Sequence, residues 1–235
     1  MYSSASRFSL LRRFVRYTNP PMLYDAFTHV DYWVFDLDNT LYPPEARLFD
    51  QIERLMAIYV MRELKVDEEK AQELRRTYWR DYGTTLAGLM HVHNIDPDPY
   101  LHEVHQLDLS HLEKAPNLKA AISALPGRKI IYTNGSRAHG ERVSSARGLD
   151  GVFDAIYGVE DAKYTPKPEK AAFQTIFAKD GVETNRAAMF EDDARNLAIP
   201  YQMGMKTVLV GSEDPTNFID HQTSNLTGFL EKLVR

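Results

Sequence analysis

Short apolar runs alternate with longer amphipathic stretches along most of this chain. Four runs have the length and composition of strands buried inside a parallel sheet, and they cover residues 32–35, 129–132, 187–190 and 206–210. A weaker strand signal covers residues 153–157. Apolar residues at helical spacing predict helices between and after these strands, at about 137–147, 168–179 and 224–234. This alternation predicts right-handed crossovers and an α/β fold with a doubly wound, Rossmann-like parallel sheet.

One long segment between the first two strands has no strand signal. Apolar residues recur at helical spacing across residues 46–64, and a second helix is predicted over 67–80 with Asp67 as its N-cap. Further helices are predicted near 84–93 and 97–107. We interpret residues 45–114 as a helical cap domain inserted into an α/β core. That core then consists of residues 29–44 and 115–235.

The first residues of the chain have a different composition from the rest. Residues 1–24 carry four arginines and no acidic residue, which predicts a basic, flexible leader over residues 1–28.

Charge and cysteine content exclude several classes of function. The net charge of −5, from 28 basic and 33 acidic residues, does not favour a nucleic-acid polymer as a partner. No apolar run approaches the length of a membrane span, so no membrane partner is expected. The absence of cysteine excludes disulfides, thiolate metal sites and a cysteine nucleophile, and it is consistent with a cytoplasmic protein.

Polar residues follow the predicted strands at the point where each strand ends. Asp36 and Asp38 follow the first strand, and side chains two apart in an extended segment point to the same side. Residues 133–136 follow the strand at 129–132, and residues 191–193 follow the strand at 187–190. Lys167 directly precedes a predicted helix. Because the carboxyl ends of parallel strands meet in one crevice, these residues are expected to form one site.

The chemistry of these residues points to phosphoryl transfer. Several carboxylates with a single lysine cannot all stay ionised without a hard cation, and Mg²⁺ prefers carboxylate and water oxygens. Thr133 and the backbone N–H groups of the Asn134–Gly135 turn are expected to form a pocket for a small anion. Lys167 adds a point charge suited to phosphate. A metal, an anion pocket, a nucleophilic carboxylate and a second carboxylate for proton transfer are together typical of phosphoryl transfer.

The same residues resemble the four motifs of the haloacid dehalogenase superfamily. Residues 36–40, 132–135, 167–168 and 190–193 match those motifs in order and spacing, and the resemblance extends over about residues 30–212. The helical segment lies where that superfamily inserts its first type of cap domain. The resemblance implies a phosphatase acting on a small-molecule phosphomonoester through an aspartyl-phosphate.

The resemblance also implies a role for each carboxylate. Asp36 is the implied nucleophile, and Asp38 the implied general acid and base. Mg²⁺ would be bound by Asp36, the backbone carbonyl of Asp38 and Asp192, with Glu191 acting through water. Dehalogenases of this superfamily lack the second aspartate and need no magnesium, so Asp38 argues against haloacid dehalogenation.

The implied phosphate-binding groups come from two other motifs. Thr133 and the Asn134 amide would bind phosphoryl oxygens, and Lys167 would offset the charge between Asp36 and the phosphate.

A narrower resemblance concerns the substrate. Residues 38–42, 82–89 and 193–197 are similar to the pyrimidine 5′-nucleotidase branch, which hydrolyses monophosphates of the UMP and CMP type. The implied candidates for contact with the leaving group are Asn39, Tyr42, Tyr82, Thr84 and Thr85. Two alternatives remain: a phosphatase or phosphomutase acting on a small sugar phosphate, and a non-enzymatic binding or regulatory protein. The second is disfavoured because every motif residue is present.

Two further expectations concern residues beside the motifs. Arg195 is expected to pair with one of the acids at 191–193 rather than to contact substrate. The histidines His102, His105 and His111 are interpreted as surface or interdomain residues rather than as a metal site.

Overall fold

A computed structural model of the protein describes residues 23–234. Its strands are β1 (Tyr32–Phe35), β2 (Arg128–Tyr132), β3 (Ala155–Tyr157), β4 (Ala187–Glu191), β5 (Lys206–Val210) and β6 (His221–Thr223). They form one sheet in the order β3-β2-β1-β4-β5-β6, and every neighbouring pair is parallel. The strand order reverses between β1 and β4, and ligands bind at such a point in doubly wound sheets. The predicted fold class is confirmed.

The α-helices within residues 23–234 either pack around this sheet or belong to the segment inserted between β1 and β2. They are α1 (Leu48–Leu64), α2 (Glu68–Tyr82), α3 (Thr85–His93), α4 (Pro97–Val104), α5 (Pro116–Ala124), α6 (Arg137–Ala146), α7 (Lys170–Asp180), α8 (Ala198–Gln202) and α9 (Leu226–Glu231). None of them is long and apolar enough to cross a membrane.

The sheet is buried on both faces because its central strands β1 and β4 are apolar up to Glu191, the last residue of β4. Trp33 and Phe35 of β1 point into the cluster on one face, while Val34 points into the cluster on the other. The strand β4 alternates in the same way, with Phe190 on the first face and Met189 on the second. This two-residue alternation explains why both strands read as continuous apolar runs.

The helices α1 to α4 follow β1 in the chain and have a hydrophobic cluster of their own. Tyr59, Val60, Leu89, Tyr100 and Val104 are among its buried members. Asp67 caps α2, where its side chain accepts a hydrogen bond from the Lys70 N–H, as the sequence predicted. We call α1–α4, residues 48–104, the helical insertion.

The structure differs from the sequence predictions in several places, and the helices α5 and α8 are among the elements that were not predicted. The strand β6 was not predicted, because His221–Thr223 is a short polar segment that pairs only with β5 at the edge of the sheet. The predicted leader ended at residue 28, but Leu23–Phe27 forms a 3-10 helix and Phe27 is buried beside Trp33. An aromatic side chain that packs on the core holds this segment in place. The remainder of the predicted leader, residues 1–22, lies outside the described residues.

Candidate active site

Two adjacent strands bring the first carboxylates of the site together. Phe35 of β1 is in register with Phe190 of β4, and their rings stack with centroids 4.7 Å apart. The Asp36 N–H then donates a hydrogen bond of 2.9 Å to the carbonyl of Phe190. Asp36 therefore leaves β1 beside Glu191, the last residue of β4.

A buried lysine lies between these two carboxylates. The Lys167 side chain is about 1% exposed, and its Nζ donates to Asp36 Oδ1 at 2.7 Å and to Glu191 Oε2 at 2.6 Å. The third hydrogen bond goes to the carbonyl of Tyr132 at 3.0 Å, so all three ammonium protons have acceptors. Despite the opposing effect of burial, Asp36 and Glu191 raise the pKa of Lys167 above its usual value.

The backbone of Lys167 is held by the side chain of Asn134. The Lys167 N–H donates to Asn134 Oδ1 at 2.8 Å, and Asn134 Nδ2 donates to the Lys167 carbonyl at 3.1 Å. The Asn134 side chain thus positions the lysine, while its own backbone N–H has no acceptor among the described residues.

Three carboxylates converge at the ends of β1 and β4. Oxygens of Asp36, Glu191 and Asp192 all lie within 4.8 Å of one another. Burial and the Glu191 carboxylate raise the pKa of Asp36 to about 8, although Lys167 opposes this shift. Burial raises the pKa of Glu191 to about 7, and burial together with Asp36 raises the pKa of Asp192 to about 7. Such a cluster binds either protons or a cation, and its oxygen donors suit a hard divalent ion.

The turn after β2 presents small polar groups to the same crevice. Thr133 is buried, and its Oγ1 accepts a hydrogen bond of 2.9 Å from the N–H of Gly135. Asn134 and Gly135 line the crevice beside Thr133. The Thr133 hydroxyl can still donate its proton, and within residues 23–234 the Asn134 N–H has no acceptor, so both can bind an anion.

Asp38, two residues after Asp36, is bound by two side chains. The Tyr42 hydroxyl donates to Asp38 Oδ1 at 2.7 Å, and His139 Nε2 lies 2.8 Å from the same oxygen. Burial acts to raise the pKa of Asp38, but the His139 charge and hydrogen bond outweigh it and lower this pKa below its usual range.

His139 was not named from the sequence. It lies in the first turn of α6, three residues after the N-cap Ser136, and the helix begins directly after the polar end of β2. A polar side chain in the first turn of a helix that begins at the crevice is within reach of the site, and this position is the signal that could have identified His139. The His139 ring stacks on His105, which follows α4, with centroids 4.2 Å apart. The interdomain interpretation of His105 therefore agrees with its position.

A cavity of about 1030 Å³ lies between the strand ends and the helical insertion. Its lining includes the seven residues to which the sequence resemblance gave catalytic, metal-binding or phosphate-binding roles: Asp36, Asp38, Thr133, Asn134, Lys167, Glu191 and Asp192.

The five candidates for contact with the leaving group divide into two sets. Asn39, Thr84 and Thr85 line the cavity. Tyr42 and Tyr82 are not among the lining residues. The Tyr42 hydroxyl binds Asp38 instead, and the position of Tyr42 therefore differs from the prediction.

Tyr82 differs from the prediction for a packing reason. Its ring lies 5.1 Å from the ring of His91 and 6.0 Å from that of Tyr78, so it contributes to the packing of α2 against α3. Thr84 lines the cavity and also caps α3, where its Oγ1 accepts from the Ala87 N–H.

On the side of the insertion, the cavity is lined by aromatic and basic side chains that were not named from the sequence. Phe49 and Trp79 are 38% and 50% exposed, and Arg75 and Arg76 lie near them in the lining. The guanidinium of Arg195 stacks on Trp79, with its Cζ 3.5 Å from the ring centroid.

The expected pairing of Arg195 with an acid is also present. Arg195 Nη2 donates to Asp193 Oδ2 at 2.6 Å, so Asp193 holds the guanidinium that contacts Trp79. A residue of the core thus reaches the helical insertion across the cavity.

Comparison with protein families and curated proteins gives two matches. Residues 33–210 match the family described as haloacid dehalogenase-like hydrolase. Phosphate metabolism protein 8 of Saccharomyces cerevisiae is 24% identical over an alignment of 213 residues, and the match covers 83% of this chain. The match covers 66% of the yeast protein, slightly less than two thirds of its length.

Solved structures resemble this fold at low sequence identity. The phosphatase of Thermococcus onnurineus has a TM-score of 0.58 at 18% identity, and magnesium-bound YfnB of Bacillus subtilis has 0.57 at 17%. The 2-haloacid dehalogenase of Pseudomonas syringae has a TM-score of 0.55 at 20% identity. Each match covers 87% of this chain and 98% of the other. These matches show the fold, and they include enzymes of two reaction types.

Proposed function

We propose that this chain, which belongs to the haloacid dehalogenase-like hydrolase family, is a Mg²⁺-dependent phosphatase that hydrolyses a phosphomonoester through an aspartyl-phosphate on Asp36. The observation that carries the proposal is the position of Lys167. Its ammonium group lies between Asp36 and Glu191, within a carboxylate cluster and beside a small-anion pocket. Binding of a phosphate between a cation and a carboxylate nucleophile needs this combination of charges.

The carboxylate cluster fits a divalent metal ion. Its three members have raised pKa values because burial disfavours their charged forms and because they repel one another, and a hard cation relieves both effects. The residues proposed to hold Mg²⁺ are Asp36, Asp192 and the backbone carbonyl of Asp38, with Glu191 acting through water. The bound ion would reduce the repulsion between Asp36 and the phosphoryl oxygens and stabilise charge in the transition state.

The side chains of the site then have complementary roles. Because its pKa is lowered in the free site, Asp38 must take up a proton when the substrate binds. An Asp36 oxygen attacks phosphorus, the bond from phosphorus to the leaving oxygen breaks, and Asp38 transfers that proton to the leaving oxygen. Asp38, now a carboxylate, accepts a proton from a water molecule whose oxygen attacks the aspartyl-phosphate. Phosphate leaves, Asp36 is regenerated, and Asp38 is again protonated.

The remaining polar groups bind and orient the phosphate. Lys167 holds one Asp36 oxygen through its 2.7 Å hydrogen bond, which leaves the other carboxylate oxygen available for attack. The Thr133 hydroxyl and the Asn134 N–H are proposed to donate to phosphoryl oxygens. Asp38 favours phosphoryl transfer over dehalogenation, because the resembling dehalogenases lack a second aspartate.

The proposed substrate is a pyrimidine nucleoside 5′-monophosphate of the UMP or CMP type. The cavity of about 1030 Å³ is large enough for a nucleoside, and Phe49 and Trp79 offer aromatic surface beside the basic side chains of Arg75 and Arg76. A pyrimidine base has a flat face that can stack and carbonyl oxygens that can accept hydrogen bonds. A small sugar phosphate remains the alternative substrate.

The test is phosphate release from nucleoside monophosphates and sugar phosphates, with Mg²⁺ and with EDTA. We expect metal-dependent release that is fastest with UMP, CMP or dUMP. Asp36→Asn is expected to lower kcat by at least about 10³-fold, because it removes the nucleophile. Asp150→Asn, which changes an exposed carboxylate, serves as the matched control.

Three other results contradict parts of the proposal. An unchanged rate in Asp36→Asn rejects the nucleophile. Preference for a sugar phosphate rejects the nucleotide substrate, and an isomerised sugar phosphate without free phosphate identifies a mutase.

A further inference from the structure

Both partners of Asp38 bind the same oxygen of its carboxylate. The Tyr42 hydroxyl and His139 Nε2 lie 2.7 and 2.8 Å from Oδ1, whereas Oδ2 has no hydrogen-bond partner among the described residues. The Asp38 side chain is 15% exposed and lines the cavity. One oxygen is therefore occupied by protein, and the other is available to a substrate or to water.

The two partners are themselves fixed by packing. Tyr42 is 1% exposed and His139 is 2% exposed, so solvent does not compete for their polar atoms. The His139 ring lies nearly parallel to the ring of His105, at an interplanar angle of 13°. His105 Nδ1 is 3.1 Å from the hydroxyl oxygen of Ser136, the residue that caps the helix carrying His139. This arrangement holds the imidazole in one orientation toward Asp38.

We propose that His139 is a positioning residue for proton transfer, and that with Tyr42 it fixes the Asp38 carboxylate so that Oδ2 exchanges protons with the substrate and water. The inference rests on the proposed phosphatase chemistry. It does not depend on which nucleobase or sugar the substrate carries. Oδ2 gives its proton to the leaving oxygen as the phosphorus–oxygen ester bond breaks, and it takes a proton from the attacking water in the second step. A carboxylate that rotates freely loses much of the advantage of a positioned acid, because proton transfer depends on orientation.

The leaving group provides the test. Dinitrophenolate departs without being protonated, whereas the alkoxide of a nucleoside requires a proton from Asp38. His139→Phe keeps a flat ring that can stack on His105 but removes the N–H donor. His139→Gln restores a donor at a similar reach, and Glu141→Gln is the control at an exposed position of the same helix.

The measurement is the rate of Asp36 phosphorylation in single-turnover or burst experiments. For the best alkyl phosphate, we expect His139→Phe to lower this rate by about 10²-fold, with KM changed less than about threefold. The burst of dinitrophenolate from 2,4-dinitrophenyl phosphate should stay within about threefold of that of the unmodified protein. On the alkyl phosphate, His139→Gln should be at least about tenfold faster than His139→Phe. Glu141→Gln should have the rates of the unmodified protein.

Equal losses on both substrates would overturn the inference, because they indicate a general disturbance of the site. Retention of both rates would overturn it as well. A second measurement is the imidazole nitrogen resonance of His139 in histidine-labelled protein, which should shift in Asp38→Asn but not in Asp150→Asn. If no phosphomonoester is hydrolysed, the proposed function fails on its own. In that case the resonance still tests whether His139 is hydrogen-bonded to Asp38, and a resonance that is unchanged in Asp38→Asn shows that it is not.

Discussion

At the scale of single residues, charge balance decides the state of the site. Lys167 is the one ammonium group in contact with the cluster formed by Asp36, Glu191 and Asp192 among the described residues. One positive charge does not neutralise three buried carboxylates. Burial and the charges of the neighbouring carboxylates raise their pKa values to about 8, 7 and 7, and the cluster takes up protons when no other cation is bound.

We expect the stabilisation by Mg²⁺ to increase with pH. Between about pH 4 and pH 8, the folded protein holds protons on these carboxylates that the unfolded chain has lost. In EDTA, the cluster therefore makes the free energy of unfolding fall as the pH rises through that window. Mg²⁺ must displace the protons, so it binds more tightly at the higher pH and then stabilises more.

Thermal unfolding with Mg²⁺ and with EDTA, at about pH 6 and about pH 8.5, measures this effect. The gain in Tm from Mg²⁺ should be larger at the higher pH. Each gain compares Mg²⁺ with EDTA at the same pH. The contribution of other titrating groups, such as His105, therefore cancels from the gain. Asp192→Asn should lose most of the gain, and an equal gain at both values of pH would refute the linkage.

At the scale of elements, close approach of two helices shapes the insertion. Gly88 of α3 lies directly against the Tyr78 ring of α2, and a Cβ built at this glycine would be 2.2 Å from the Tyr78 Cγ. The Tyr78 hydroxyl also lies 2.6 Å from Nε2 of His93, near the end of α3. The buried ring is thus held at both ends, and it has little room to move.

Gly88→Ala is expected to destabilise the protein by about 1–3 kcal/mol, because the added methyl overpacks the contact between α2 and α3. Helix propensity alone predicts the opposite sign, since alanine favours a helix over glycine by about 1 kcal/mol. The free energy of unfolding in urea distinguishes the overpacking effect from the propensity effect, because they have opposite signs. Val92→Ala, at a position of α3 that is 49% exposed, should change the free energy of unfolding by less than about 0.5 kcal/mol. A stabilised Gly88→Ala variant would contradict this packing.

At the scale of the whole molecule, side-chain contacts join the core to α2, to α4 and to the segment that follows α4. Arg195 of the core stacks on Trp79 of α2, and His105 after α4 stacks on His139 of α6. The Tyr164 hydroxyl also donates to Asp98 of α4 at 2.6 Å. A substrate held in the cavity is therefore expected to contact both the core and the helical insertion.

Arg195→Gln should loosen the contact with α2 and expose Trp79 further. The chain has two tryptophans, and the other, Trp33, is 2% exposed, so acrylamide quenching reports mainly on Trp79. We expect stronger quenching and a KM for the nucleotide that is about two- to fivefold higher, the range expected for an exposed cation–π contact. Trp79→Phe should remove the difference in quenching. Unchanged quenching in Arg195→Gln would show that the contact does not persist in solution.

Local sequence patterns predicted most of the regular elements. Apolar runs identified β1, β2, β4 and β5, and Asp67 marked the start of α2. These features depend on the burial and the caps of the segment itself. The strand β6 and the buried Phe27 were not predicted, because each depends on a partner elsewhere in the chain.

The strand ends and the polar residues on them are readable from the residues alone, because strand periodicity and parallel topology place those residues at one edge of the sheet. The pairing of these side chains depends on the folded chain. Lys167 is 131 residues from Asp36, and His139 is 101 residues from Asp38. Contacts at such separations depend on how crossovers and inserted helices pack, and no local pattern encodes that packing. For the same reason, Tyr82 packs between helices, while His139 reaches the carboxylate at the end of β1.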